Sequence, residues 1–318
     1  MITINAALSL GKPGKLPVKI DSRTLDFSNY FDAIQVSNIP TELNWSIKKT
    51  SPWGMMNNWT LSDCTCAAAG HMIECWTANS NQENIITDEA VLAAFIALSG
   101  YDPVTGKNDN PVYLIDALKY WRKNGVGSHK IKAFATINYK NHDLVRAAVY
   151  LFGGVYVGLN LPKTIKGQEI WEVMPGEQTG DNTPGAFGGH AVNVVAYDET
   201  YITFISWGKI KKMTWGFWDT YCEELYAIIS EDFFNENKTP IGLDMVALEI
   251  SLLGFTKAHT NLEEIEGGNA GTAAGRGGTK GGSAGTSAAS AGNKSGVEIN
   301  EIYKSHIVAA GSAGGAVA

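Results

Sequence analysis

Two residues of this sequence have types and positions suited to nucleophilic catalysis, Cys64 and His190. Thiol catalysis needs a thiolate, a base to move its proton, a donor to hold the oxyanion and a site that excludes water. Cys64 stands at the expected start of a helix, 64–78 (CTCAAAGHMIECWTA), with Ser62 or Asp63 before it as a cap. A helix N-terminus offers unpaired N–H groups and a partial positive charge, which lower a thiol pKa. His190 follows Gly188 and Gly189 and opens the apolar run 191–198 (AVNVVAYD), the pattern of a buried strand. The two glycines permit close approach of substrate or backbone. A histidine at the mouth of a strand can face a helix N-terminus across a cleft.

The same residues admit other roles. A lone cysteine on a helix is usually a small core hydrophobe. That reading suits Cys66, which lies about 200° around the helix from Cys64. Cys75 returns to nearly the same face three turns on, and Cys222 carries no readable role. His71 shares the face of Cys64, so Cys64, Cys66, His71 and His190 could suggest zinc. The C-x-C spacing is not that of structural zinc doublets, however, and no metal or cofactor is expected. His71 then reads as a hydrogen-bonded helix residue.

The elements that must hold these residues follow from periodicity and punctuation. Helices are expected at 87–99, capped by Thr87 or Asp88, at 111–123 with Pro111 in the first turn, and at 141–152, closed by Gly153-Gly154. Strands are expected at 155–161, 191–198 and 201–208, the last two joined as a hairpin through Asp198-Glu199-Thr200. The stretch MTWGFWDTYCEELYAIIS continues as strand or mixed structure. Helices first and strands second make an α+β domain with a cleft between its halves.

At this point the sequence resembles the papain family. Asn57-Asn58-Trp59-Thr60-Leu61-Ser62-Asp63-Cys64 is similar to its nucleophile region, where a Gln stands six residues before the Cys; Asn58 holds that position here. Leu43-Asn44-Trp45 is similar to the family's upstream aromatic segment. His190-Ala191-Val192 with Tyr197 resembles its His-Ala-Val strand, and Ser206-Trp207-Gly208 with Trp215-Gly216 resembles its Asn-Ser-Trp-Gly and Trp-Gly pair. The run Asp63–His71 also resembles one carried by uncharacterised bacterial and phage proteins. The resemblance covers about 190 residues and implies a papain-like two-lobe fold, with a helical N-terminal lobe and an antiparallel β C-terminal lobe. It implies Cys64 as nucleophile, His190 as base and Asn58 as oxyanion donor. Trp207 would cover the His190 face, Ser206 would support the site, and Gly188 and Gly189 would contact substrate.

Two positions depart from the family. Asn58 is one methylene shorter than Gln but keeps an amide donor. Ile205 stands where an Asn would orient the histidine, and Ile accepts no hydrogen bond. Losing the third member of such a chain costs tautomer control. A backbone carbonyl or another side chain could take its place. Two functions therefore stay open. One is a cysteine hydrolase of peptide or amide bonds, impaired at Ile205. The other is a catalytically inactive papain-like binding or structural protein in an assembly such as a virus particle or filament.

Composition narrows the partners. The 318 residues carry a net charge of −7, which is not the basic footprint of a nucleic-acid binder. All nine tryptophans fall between Trp45 and Trp218, which places the core there. No membrane span and no signal peptide are read, so a cytoplasmic or virion-associated protein is expected. Residues 1–43 read as an extended arm lying across the domain, 44–266 as the papain-like domain, and 267–318 as a Gly/Ala/Ser-rich tail. Within the tail, 297–308 (VEINEIYKSHIV) reads as a docking segment on a tether. Peptide or protein is the expected substrate, and a second copy or an assembly partner is expected to take the tail.

Removing residues 267–318 is therefore expected to leave thermal stability and Cys64 chemistry nearly unchanged while weakening self-association. Light scattering on full-length and truncated protein checks this; equal association by both would remove the docking role.

Overall fold

The computed structural model describes residues 10–29, 39–236 and 238–241. The tail, its 297–308 segment and residues 242–266 lie outside the described residues, as do two stretches of the arm, 1–9 and 30–38. The chain divides into two compact units, 1–235 and 236–318; the elements below belong to the first.

In chain order these are β1 (Leu25–Asp26), β2 (Leu43–Asn44), α1 (Cys64–Asn79), α2 (Asp88–Ser99), α3 (Leu114–Asn124), β3 (Ile131–Thr136), α4 (His142–Phe152), β4 (Val155–Leu161), β5 (Ile170–Trp171), β6 (Gly188–Tyr197), β7 (Tyr201–Ser206), β8 (Lys209–Thr214), α5 (Trp215–Tyr221) and β9 (Cys222–Ser230). The strands form one sheet in the order β1-β3-β9-β4-β6-β7-β8-β5, with β2 on β6. The β3-β9-β4-β6-β7-β8 stretch is antiparallel throughout. Two short pairs, β1 with β3 and β5 with β8, are parallel. Among the described residues no helix is long and apolar enough to cross a membrane.

Local chemistry sets the helix ends. Thr87 accepts from the Ala90 N–H and Asn141 from the Leu144 N–H, each satisfying one of the first-turn donors. Gly100 and Gly153 close α2 and α4 at φ +75° and +70°. The third helix departs from its expected start. It begins at Leu114 because Val112 is paired: its N–H donates to Gly14 O at 2.9 Å and its carbonyl accepts from Leu16 N–H at 3.0 Å. A tertiary pairing thus withdraws the first turn. Strand β3 is additional to the expected strands, and the mixed stretch after β7 resolves into β8, α5 and β9.

Helix α1 runs through the middle of the domain with all its residues buried. Small residues, Ala67, Ala68, Ala69 and Gly70, make that depth attainable. A Cβ at Gly70 would lie 2.5 Å from the Met56 sulfur, so the glycine makes room for that side chain. Tyr156 of β4 donates its hydroxyl to Thr65 O at 2.6 Å and fixes the first turn of α1 to the sheet. Trp76 stacks on Trp121 of α3 at 5.7 Å and donates its indole N–H to Phe152 O at 2.7 Å.

Trp76 is fully buried and joins three elements, so Trp76→Ala is expected to cost about 3–5 kcal/mol. Urea unfolding checks this; a loss below about 1 kcal/mol would contradict the central placement of the ring.

Candidate active site

The structure brings Cys64, His190, Asn58, Ser206 and Trp207 together where α1 meets β6 and the β7–β8 turn. Cys64 is the first residue of α1, and its sulfur accepts from the Ala191 backbone N–H at 3.3 Å. The thiol therefore lies against β6 one residue from His190. No hydrogen bond joins thiol and imidazole: His190 Nδ1 has no partner, while Nε2 meets Ser206 Oγ at 2.8 Å. Ser206 thus occupies the place left open by Ile205. Ile205 itself is core, facing Asn193 in the β6–β7 register.

The turn after Ser206 explains how Trp207 reaches the histidine. Ser206 pairs with Lys209, leaving a two-residue hairpin loop in which Trp207 and Gly208 have φ +49° and +67°. Two left-handed residues make the turn whose twist matches the flanking strands. Gly adopts this without cost, whereas a bulky residue at positive φ is strained. Here the strained residue is the tryptophan, whose ring stacks on His190 at 4.4 Å with 22° between planes.

Asn58 presents its side-chain amide to two carbonyls, Leu61 O and Lys12 O, both at 3.1 Å. The second belongs to the N-terminal segment. Residues 11–16 run along the cleft on main-chain bonds. Lys12 N–H donates to Asn58 O at 3.0 Å; Gly14 and Lys15 N–H donate to Gly189 O at 3.1 and 2.9 Å. Gly188 and Gly189 therefore meet this segment: a Cβ on Gly189 would lie 2.3 Å from Lys15 O, and one on Gly188 2.8 Å from Pro13. Gly11 and Gly14 are as constrained, since a Cβ at either would lie 2.2 Å from the Trp207 ring or 2.0 Å from Ser62 O.

This cover changes the electrostatics. Cys64 is 0 % and His190 1 % exposed. Burial pushes the Cys64 thiol up to about 12, against the lowering that a helix N-terminus by itself favours. Burial also brings His190 down to about 3, so the imidazole is neutral near pH 7. Asp63 does not cap α1 with its side chain; its buried carboxyl is pushed up to about 8 and is mostly protonated at neutral pH. The thiol expected to be activated is therefore protonated in this covered state.

The remaining sequence candidates separate from the site. His71 Nε2–H donates to Gly54 O at 2.7 Å, and its ring meets Trp53 edge-on. Cys75 sits near Trp45 O and Gly153 O, and all four cysteines are free and buried. Among the described residues no three His, Cys, Asp or Glu side chains cluster so as to hold a metal ion. Sequence reasoning missed Glu223 and Glu224 of β9, which meet Lys15 of the N-terminal segment. Their adjacent charges in an otherwise apolar strand were the available signal.

No protein-family model matches this sequence, and no curated protein does. Solved structures do. Xylellain, a cysteine protease from Xylella fastidiosa, is 13% identical and matches over 72% of this chain and 99% of its own, with a TM-score of 0.53. Procathepsin B S9 from Trypanosoma congolense is 12% identical over 69% of this chain and 87% of its own, with a TM-score of 0.51. At this low identity the likeness is one of fold: the chain has the papain-like, two-lobe α+β fold of these cysteine proteases.

Proposed function

We propose that this domain is a cysteine hydrolase of peptide or amide bonds whose cleft is closed by its own residues 11–16. The supporting observation is the peptide already in the cleft: Asn58 Nδ2 donates to a main-chain carbonyl, and Gly189 O accepts two main-chain N–H groups beside His190. A groove that binds an extended backbone next to a thiol and an imidazole suits acyl transfer.

Departure of the segment would hydrate Cys64 and remove the burial that holds its proton. With Ser206 Oγ accepting from His190 Nε2–H, the Nδ1 lone pair is free to take the thiol proton. The thiolate attacks the substrate carbonyl, and the oxyanion forms on the Asn58 amide and the Cys64 backbone N–H. The imidazolium returns the proton to the leaving amine as the C–N bond breaks. Water, deprotonated by His190, then cleaves the thioester and regenerates the thiol. A serine hydroxyl can accept from imidazole, which Ile205 cannot, and so serves as the positioning group.

The second reading, a papain-like binding or structural protein without turnover, is favoured by the missing thiol–imidazole bond and the protonated thiol. An active-site-directed electrophile separates the two. Under the hydrolase reading it labels Cys64 ahead of Cys66, Cys75 and Cys222, because opening the segment is easier than unfolding the core. Cys64→Ala then abolishes cleavage of fluorogenic peptide amides in a folded protein. Labelling of Cys64 no faster than Cys75, with no turnover, favours the binding reading.

Ser206→Ala tests the positioning group. It leaves Nε2 buried without a partner, a cost of about 1–3 kcal/mol. It is expected to lower kcat about tenfold or more with KM nearly unchanged, as lost tautomer control does. Steady-state kinetics on the folded variant checks this; an unchanged kcat would remove Ser206 from the machinery.

A further inference from the structure

The segment in the cleft is held mostly by main-chain bonds, which read no sequence. Its glycines touch the walls with backbone alone, and Lys12 pairs with Asp109 while remaining exposed. Lys15 is different. Its side chain is 0 % exposed and enters a pocket built by β4 and β9. There Nζ meets Glu223 Oε1, Glu224 Oε1 at 3.0 Å and Leu16 O at 2.8 Å.

The pocket is prepared on its far side as well. Tyr226 donates its hydroxyl to Glu224 Oε2 at 3.0 Å, and Asn160 donates its amide to Glu223 Oε2. Each carboxylate thus has one oxygen fixed by the wall and one turned to the ammonium. Room for the lysine stem comes from Gly158 of β4, where a Cβ would lie 2.9 Å from Lys15 Cδ and 2.6 Å from Glu224 Cγ. Two carboxylates face a single ammonium, so the walls alone carry excess negative charge. Burying carboxylates together is unfavourable without a cation between them. The Lys15 N–H that donates to Gly189 O places this pocket one residue of backbone away from His190.

We propose that the pocket of Gly158, Asn160, Glu223, Glu224 and Tyr226 is a specificity subsite for a lysine or arginine side chain of an extended peptide, filled in cis by Lys15. The inference rests on the reading of this cleft as a peptide groove and does not need turnover. It names the substrate class: peptides with a basic residue beside the position that Cys64 addresses. A pair of carboxylates set to meet an ammonium distinguishes a cation from an apolar side chain of the same length, because the apolar one leaves both charges desolvated and unpaired.

The test uses the full-length chain and reads protection of Cys64 from iodoacetamide. Lys15→Met is expected to label about tenfold faster or more than wild type, since its segment loses its anchor, and Lys15→Arg to stay protected. The hexapeptide Gly-Lys-Pro-Gly-Lys-Leu, added to Lys15→Met, should restore protection. The same peptide with norleucine in place of its second lysine should need about tenfold higher concentration. Glu223→Gln with Glu224→Gln in the Lys15→Met background should erase that difference. Equal protection by both peptides, or a lysine preference that survives the double change, overturns the subsite. So does a Lys15→Met chain that labels at the wild-type rate. If circular dichroism shows that Lys15→Met and the single Glu223→Gln and Glu224→Gln variants all unfold, the cluster is a folding ion pair and the proposal fails. A folded chain that prefers the lysine peptide but hydrolyses nothing leaves the subsite standing and removes only the hydrolase reading.

Discussion

A helix buried along its whole length has no face for solvent, and α1 is such a helix. Everything that surrounds it must supply either apolar contact or a partner for its polar groups. The small run Ala67–Gly70 admits neighbours closely, and the polar side chains are matched one by one. Glu74 meets Lys49 at 3.3 Å, Asn79 donates to Trp45 O at 2.7 Å, and His71 donates to Gly54 O. Unpartnered, each would carry a desolvation cost of about 1–3 kcal/mol. The loop before α1 is thereby tied to the helix, and Tyr156 ties the helix to β4. The position of Cys64 against β6 is a consequence of this packing.

The same packing decides the chemical state of the site. A thiol at a helix N-terminus in water is acidified; a thiol at a helix N-terminus sealed from water is not, because the thiolate loses its hydration. Residues 11–16 supply the seal. Gly11 and Gly14 allow the backbone to lie flush on Trp207 and Ser62, which any Cβ would prevent. The same segment bonds its backbone to Gly189, sets a carbonyl on Asn58 and places the Lys15 ammonium between Glu223 and Glu224.

Trp207 shows how strain is spent locally. A left-handed tryptophan is unfavourable, yet the two-residue turn needs positive φ at both positions, and Gly208 relieves only one. The stacking of the indole on His190 and the anchoring of the adjacent Ser206 hydroxyl on Nε2 both follow from that turn. One hairpin thereby holds two sides of the imidazole, its face and one nitrogen.

Much of the fold was legible in the residues. The helices starting at Cys64, Asp88 and His142 and the strands around 155–161 and 191–206 announce themselves by capping residues, apolar runs and glycine stops, all of which act over a few neighbouring positions. What local pattern could not decide was anything set by partners far along the chain. Pro111 signals a helix start, but pairing of Val112 with Gly14 and Leu16 delays it. Ile205 signals a missing partner for His190, but the register of β7 delivers Ser206 instead. Lys15 reads as one more arm residue, and only the folded chain brings it to glutamates more than 200 positions away. The types and local spacing of Cys64 and His190 belong to the sequence; the protonation of the thiol, the neighbour of the imidazole and the occupant of the cleft belong to the tertiary structure. Desolvation and through-space charge depend on which distant groups exclude water and which lie within a few ångströms, and neither is written in short-range order.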